Sequence, residues 1–289
     1  MPYRVGVPRR VSWSRRCPLA LGVALAIALG SPFSALGRAS TGAVPGGAAA
    51  PASTTVGSFT LDLSGPGDFV AQANFVQCVG ASMQMMLNMI RPEDDGSAAT
   101  QLDLQALARS LSGNRPDGRE RKGASVRGWT AGLTAMGGGR YRTVGAKDIE
   151  AALKMAARAM RETNRPVGLL VWRGRHAWVM AGFTATADPG LTDDFEVNQV
   201  IVLDPLYPYG SKTWGPSPEP RASITVEELG RQFVPRGFRG SLPGGDPEPT
   251  ASPSGTSPAA GWSHGLGGKY VIVMPFTASE PARHGQAIR

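Results

Sequence analysis

Two cysteines and three histidines in 289 residues are the scarcest reactive side chains of this chain. Structural zinc needs cysteines or histidines in close pairs, and Cys17, Cys78, His176, His264 and His284 provide no such pair. Structural zinc is not expected. The first 39 residues lack acidic side chains altogether, yet hold Arg4, Arg9, Arg10, Arg15, Arg16 and Arg38. The net charge is +8, and setting aside those six arginines leaves +2 for the rest of the chain. The basic character therefore resides largely in the leader, and no stripe remains that would suit a nucleic acid. The apolar run of that leader, Leu19 to Leu29, is short for a bilayer crossing, which takes ~20 residues.

Basic, apolar and small residues (Ala35, Gly37, Ala39) follow one another in the order of a secretory signal. The reading is a cleaved export signal over 1–39, of bacterial type, and a secreted or cell-surface protein that meets the membrane only if the signal stays attached. Residues 40–57, rich in Gly, Ala, Pro, Ser and Thr, read as a flexible tether. Loss of the leader removes Cys17 and leaves Cys78 alone. Exported proteins normally pair their cysteines, so a solitary thiol is a reactive group, an intermolecular link or a small buried hydrophobe.

One domain is expected over 58–277. Residues 57–63 alternate as a strand does, and Val79, Met83, Met86, Leu87 and Ile90 recur at helical spacing from Cys78 onward. Further helices are expected over 102–111, 125–136 and 146–163. Strands follow at 167–172, 176–183, 200–203 and 270–274, with a short helix at 226–233 opened by a Thr225/Glu228 capping box. Residues 240–263 and 278–289 read as disordered. Helices first and antiparallel strands afterwards give an α+β class.

Cys78 opens its helix, where unpaired amides and the helix dipole favour a thiolate, and Gly80, Ala81 and Ser82 keep the first turn slim. Gln72 lies six residues upstream and offers an amide to a developing oxyanion; Gln77 is a competing amide. His176 begins a strand after a flexible Arg173-Gly174-Arg175 turn, and Asp204, locked before Pro205, ends another. Taken singly, each residue also suits a plain structural role: a packed helix cysteine, a solvent-facing histidine, a turn-initiating aspartate.

Together, Gln72…Cys78-Val-Gly-Ala-Ser, His176-Ala-Trp-Val-Met-Ala-Gly-Phe and Val202-Leu203-Asp204-Pro205 resemble the papain-like cysteine peptidases. The nearest type is the bacteriocin-processing (double-glycine) peptidases and their secreted bacterial relatives. The resemblance spans about residues 65–210 and a last strand near 270. It implies a helical part carrying the cysteine, packed on an antiparallel sheet carrying His and Asp. It further implies Cys78 as nucleophile, His176 as base and then acid, Asp204 as its orienter and Gln72 as oxyanion donor. Such a triad needs no metal and no organic cofactor, and its substrate would be a peptide or protein; the chain itself is expected to be a monomer. Val79 departs from the family, which usually has glycine directly after the nucleophile. Two other functions share these residues: a transferase or amidase using the same triad, and a non-catalytic peptide- or glycan-binding domain offering Tyr207, Tyr209 and Trp214.

Overall fold

A computed structural model describes residues 58–114, 121–238 and 264–277. The leader, the tether, the 240–263 loop and the tail from 278 lie outside the described residues. The class is α+β. The strands are β1 (Phe59–Asp62), β2 (Tyr141–Ala146), β3 (Val167–Val171), β4 (His176–Ala185), β5 (Val197–Leu203), β6 (Gly210–Ser211), β7 (Gly215–Pro216), β8 (Ala222–Thr225) and β9 (Tyr270–Pro275). The helices are α1 (Cys78–Asn88), α2 (Ala98–Ser110), α3 (Val126–Ala135), α4 (Ile149–Thr163) and α5 (Val226–Gly230). The main sheet runs β2-β9-β3-β4-β5-β8, with every pairing antiparallel. β1 pairs with the far end of β4 and so continues the lane of β3.

Helices cover both faces of this sheet. Ala177, Val179 and Ala181 of β4 pack with Met83, Met86 and Leu87 of α1, Leu104 of α2, and Trp129 and Leu133 of α3. The alternate residues Trp178, Met180 and Phe183 pack with Leu153, Ala156, Ala157 and Met160 of α4, and with Leu229 and Phe233. Double coverage explains why β3 is buried at all five positions and reads as an unbroken apolar run. It also amends the expected layout, since α4 is not part of the N-terminal helical layer but shields the opposite face. Its alanines let the helix axis lie close to the sheet.

Several boundaries differ from expectation. α2 starts at Ala98 rather than at 102, because Ser97 caps it by accepting the Thr100 amide. α4 starts at Ile149, where the Asp148 side chain accepts the Ala151 amide at 2.7 Å. The residues just before it form β2, an unexpected edge strand that breaks the helices-then-strands order. The stretch after Leu206 adds the β6–β7 hairpin and β8, and α5 is shorter than 226–233, although its capping box is present.

α1 is more deeply enclosed than one apolar face requires: every residue from Val79 to Asn88 is buried. Most of its polar side is held by protein groups, Gln84 Oε1 alone among α1 side-chain atoms being buried without a partner among the described residues. Gln84 Nε2 donates to the carbonyls of Asp95 and Ser97, and Asn88 exchanges hydrogen bonds with the Asp95 backbone. Ser82 Oγ donates to the Ala177 carbonyl at 3.2 Å, tying the second turn of α1 to the start of β4. A buried hydroxyl without that partner would cost ~1–3 kcal/mol.

Candidate active site

Cys78 is the first residue of α1 and is partly exposed. Gln77 caps the helix without a side-chain hydrogen bond, and no acidic residue stands in the first turn to compete with an anion there. A helix begins with four amides that have no acceptor inside it. Two are occupied: the Gln77 amide donates to the Asn74 carbonyl at 3.2 Å, and the Gly80 amide donates to Gln105 Oε1 at 2.9 Å. Among the described residues the amides of Cys78 and Val79 have no acceptor, and they remain for whatever approaches the thiol.

His176 begins β4 opposite Val171. Its Nε2 faces Asp204 Oδ1 at 2.7 Å, and the two side chains are only 4% and 0% exposed. Cys78 acts on the same ring; with Nε2 engaged by the carboxylate, Nδ1 is the nitrogen left for sulfur. Burial opposes a charged imidazole, but the hydrogen bonds and charges of Asp204 and Cys78 outweigh it and push the His176 pKa up to about 9. Asp204 follows the last residue of β5, and its Oδ1 also accepts the Leu206 amide at 2.8 Å, which holds the carboxylate in place. Asp204 Oδ2 is buried with no partner among the described residues.

The turn before His176 is pinned rather than flexible. Trp172, Arg173 and Gly174 have φ of 56°, 56° and 90°. Only glycine adopts such values freely, and each of the other two costs of order 1–3 kcal/mol. The turn is held by Trp172 N donating to the Gln232 carbonyl at 2.9 Å, Trp172 Nε1 donating to Gln232 Oε1 at 2.8 Å, and Gly237 N donating to the Arg173 carbonyl at 3.1 Å. The result lays the Trp172 ring on the His176 ring, with centroids 4.2 Å apart and planes 26° apart. Trp172 reads in the sequence as the end of a buried strand, and nothing there marks it as the roof of a histidine.

The loop carrying Gln72 lies against the end of β5, since the Gln72 amide donates to the Pro205 carbonyl at 2.7 Å. The Gln72 side chain donates to the Asn74 carbonyl at 2.9 Å, and its Oε1 is buried without a partner among the described residues. Gln77 Oε1 is in the same condition. His176 and Asp204 are thus joined by a hydrogen bond, Cys78 is near enough to act on the His176 ring, and Gln72 lies on the loop that leads into Cys78. Of the three loop aromatics, Tyr207 sits edge-on to Phe69 at 6.2 Å, Trp214 is half-buried, and only Tyr209 stands well exposed.

Compared with known proteins, the chain matches no family model and no curated sequence.

Proposed function

We propose that the protein is an exported cysteine hydrolase of papain-like type, acting on peptide or amide bonds. The observation that carries this reading is the buried His176, hydrogen-bonded to Asp204 and close enough to a partly exposed Cys78 for that group to act on its ring. A histidine that stays protonated at neutral pH beside a sulfur at a helix start favours the thiolate–imidazolium pair.

In the proposed reaction the Cys78 thiolate adds to the substrate carbonyl carbon, forming a C–S bond and an oxyanion. We assign the Cys78 and Val79 amides, and the Gln72 side chain once turned from Asn74, as the donors to that charge. The His176 imidazolium then gives its proton to the leaving nitrogen as the C–N bond breaks, leaving a thioester. Neutral His176 next takes a proton from water, whose oxygen attacks the thioester, and breaking the C–S bond releases the acid and restores the thiolate beside the imidazolium. Throughout, Asp204 fixes the ring and offsets its charge, as the acid of such triads does. An amine in place of water would make the same thioester a transfer intermediate.

The test is the pH dependence of Cys78 alkylation by iodoacetamide in residues 40–289, wild type against His176→Ala. Rapid alkylation persisting to pH 6, and slowed at least about 100-fold by His176→Ala, is expected, on the usual scale of acid–base catalysis. A profile that follows an ordinary thiol, with its pKa of ~8.5, and ignores His176 would reduce the protein to a binding domain on this fold.

A further inference from the structure

Gln101 and Gln105 stand one turn apart on α2 and are 1% and 4% exposed. Both reach across to the segment that leads into Cys78, and each uses both ends of its carboxamide. Gln101 Nε2 donates to the Ala71 carbonyl at 2.9 Å, and its Oε1 accepts the Ala73 amide at 2.7 Å. Gln105 Nε2 donates to the Val76 carbonyl at 2.9 Å, and its Oε1 accepts the Gly80 amide at 2.9 Å. Four hydrogen bonds from two side chains therefore bracket Gln72, Gln77 and Cys78, the residues that the proposed chemistry needs at fixed relative positions.

A buried amide pair is an expensive way to join two helices when leucine would fill the space, since each unpaired polar atom would cost ~1–3 kcal/mol. What an amide adds is direction. Its donor and acceptor lie in one plane, so Gln105 ties the Val76 carbonyl of the loop and the Gly80 amide of the helix to a single rigid group. The approach is close enough to demand glycine at 80: a Cβ there would lie 2.8 Å from the Gln101 carbonyl oxygen and 2.9 Å from Gln105 Cβ. Gln105 also consumes the third amide of α1, so that only those of Cys78 and Val79 remain free at the helix start.

We propose that Gln101 and Gln105 are positioning residues for the Cys78 site: Gln101 sets the backbone on either side of Gln72, and Gln105 sets the first turn of α1 against the loop. This rests on the thiolate–imidazolium reading above. Neither residue touches a substrate; both act through the peptide groups they hold.

The experiment compares wild type, Gln105→Met and Gln105→Glu, each checked for folding by thermal melting, in the pH dependence of Cys78 alkylation by iodoacetamide. Exchange protection of the Gly80 and Ala73 amides is followed alongside. Gln105→Met fills the space but makes no hydrogen bond; alkylation at pH 6 should fall about ten-fold, with Gly80 protection lost and Ala73 protection kept by Gln101. The carboxyl of Gln105→Glu can accept the Gly80 amide at any pH but can donate to Val76 only when protonated. Its alkylation should approach the wild-type rate at the acid end and fall away from it as pH rises, a pH-dependent rescue that a space-filling role would not produce. Rates for both variants within two-fold of wild type across the range would overturn the positioning role. If Gln105→Met does not fold, the Gln105→Glu profile decides alone. A wild-type profile that is ordinary and indifferent to His176 removes the thiolate reading and this inference with it, whereas a perturbed wild-type profile shared by both Gln105 variants overturns the inference only.

Discussion

On its acid–base side the site is closed: His176 and Asp204 are almost wholly buried, roofed by Trp172 and fixed by Gln232 and the Leu206 amide. On its thiol side it is open: Cys78 is partly exposed, and Phe75 and Val76, just upstream, are 84% and 40% exposed. The closed side is held by a charge pair and a strained turn, the open side by neutral amides from α2. The division has a physical logic. A charged imidazole beside a carboxylate gains most from a dry, fixed setting, whereas a nucleophile needs a route for its substrate.

The sharpest way to break this contrast is Asp204→Ala. It leaves the His176 ring buried without its acceptor, and removal of one partner of a buried pair costs roughly 3–5 kcal/mol. For a domain of this size that corresponds to a melting temperature lower by about 10 °C or more, measurable by calorimetry. Asp204→Asn keeps a carbonyl acceptor and should lose less than half as much. An equal loss from both would mean that the charge, and not the hydrogen bond, secures the closed side.

Next in size is pH. The folded protein holds the His176 proton up to about 9, while an unfolded chain releases it near 6.5. The stabilisation is therefore complete below about pH 6.5 and is lost as pH rises through about 9. In Cys78→Ala, where no thiol titrates alongside the imidazole, unfolding free energy in urea should fall as pH rises across that interval. Adding His176→Ala should flatten the slope. A slope of the opposite sign in the Cys78→Ala protein would contradict the charged, paired imidazole.

Trp172→Gly sharpens the comparison with a smaller effect on stability. It relieves one left-handed non-glycine residue, worth ~1–3 kcal/mol, and forfeits a ring stack of ~0.5–1.5 kcal/mol together with the indole–Gln232 hydrogen bond. The two nearly cancel, so the melting temperature should move by only a few degrees. The His176 Nε2 proton, shielded in the wild type, should then exchange with water fast enough to disappear from the low-field proton NMR spectrum. Its persistence would mean that Asp204 alone protects it.

The open and closed sides also differ in how far they can be read from the chain. Cys78, His176 and Asp204 stand out by residue type at the ends of a helix and two strands, and periodicity alone places α1, α3, β3, β4, β5 and β9. What supports them is hidden. Trp172 has the sidedness of a strand residue, and its role depends on a left-handed backbone that no neighbour but Gly174 announces. Gln101 and Gln105 look like the solvent face of an amphipathic α2, because a polar residue satisfied by protein and one satisfied by water carry the same letter. β2, β6, β7 and β8 escape for another reason: they are edge or very short strands, with too few buried positions to show a period. Pairing with β9 and β5 makes β2 and β8 strands, and pairing is not local.

The smallest expected effect falls on the open side. Phe75 is a large apolar side chain set in water three residues before Cys78, on a loop whose backbone is held from α2 and from Pro205. Exposed as it is, Phe75→Ser should change stability by no more than about 0.5 kcal/mol and leave the iodoacetamide rate at Cys78 unchanged, since that reagent is too small to use the ring. A reagent carrying an aromatic side chain, such as a phenylalanyl chloromethyl ketone, can bury part of itself against Phe75. Partial burial of such a side chain is worth about 1 kcal/mol, so its rate should fall a few-fold in Phe75→Ser while the small reagent sees no difference. Equal rates for the two proteins with both reagents would place the approach to Cys78 on the side away from Phe75.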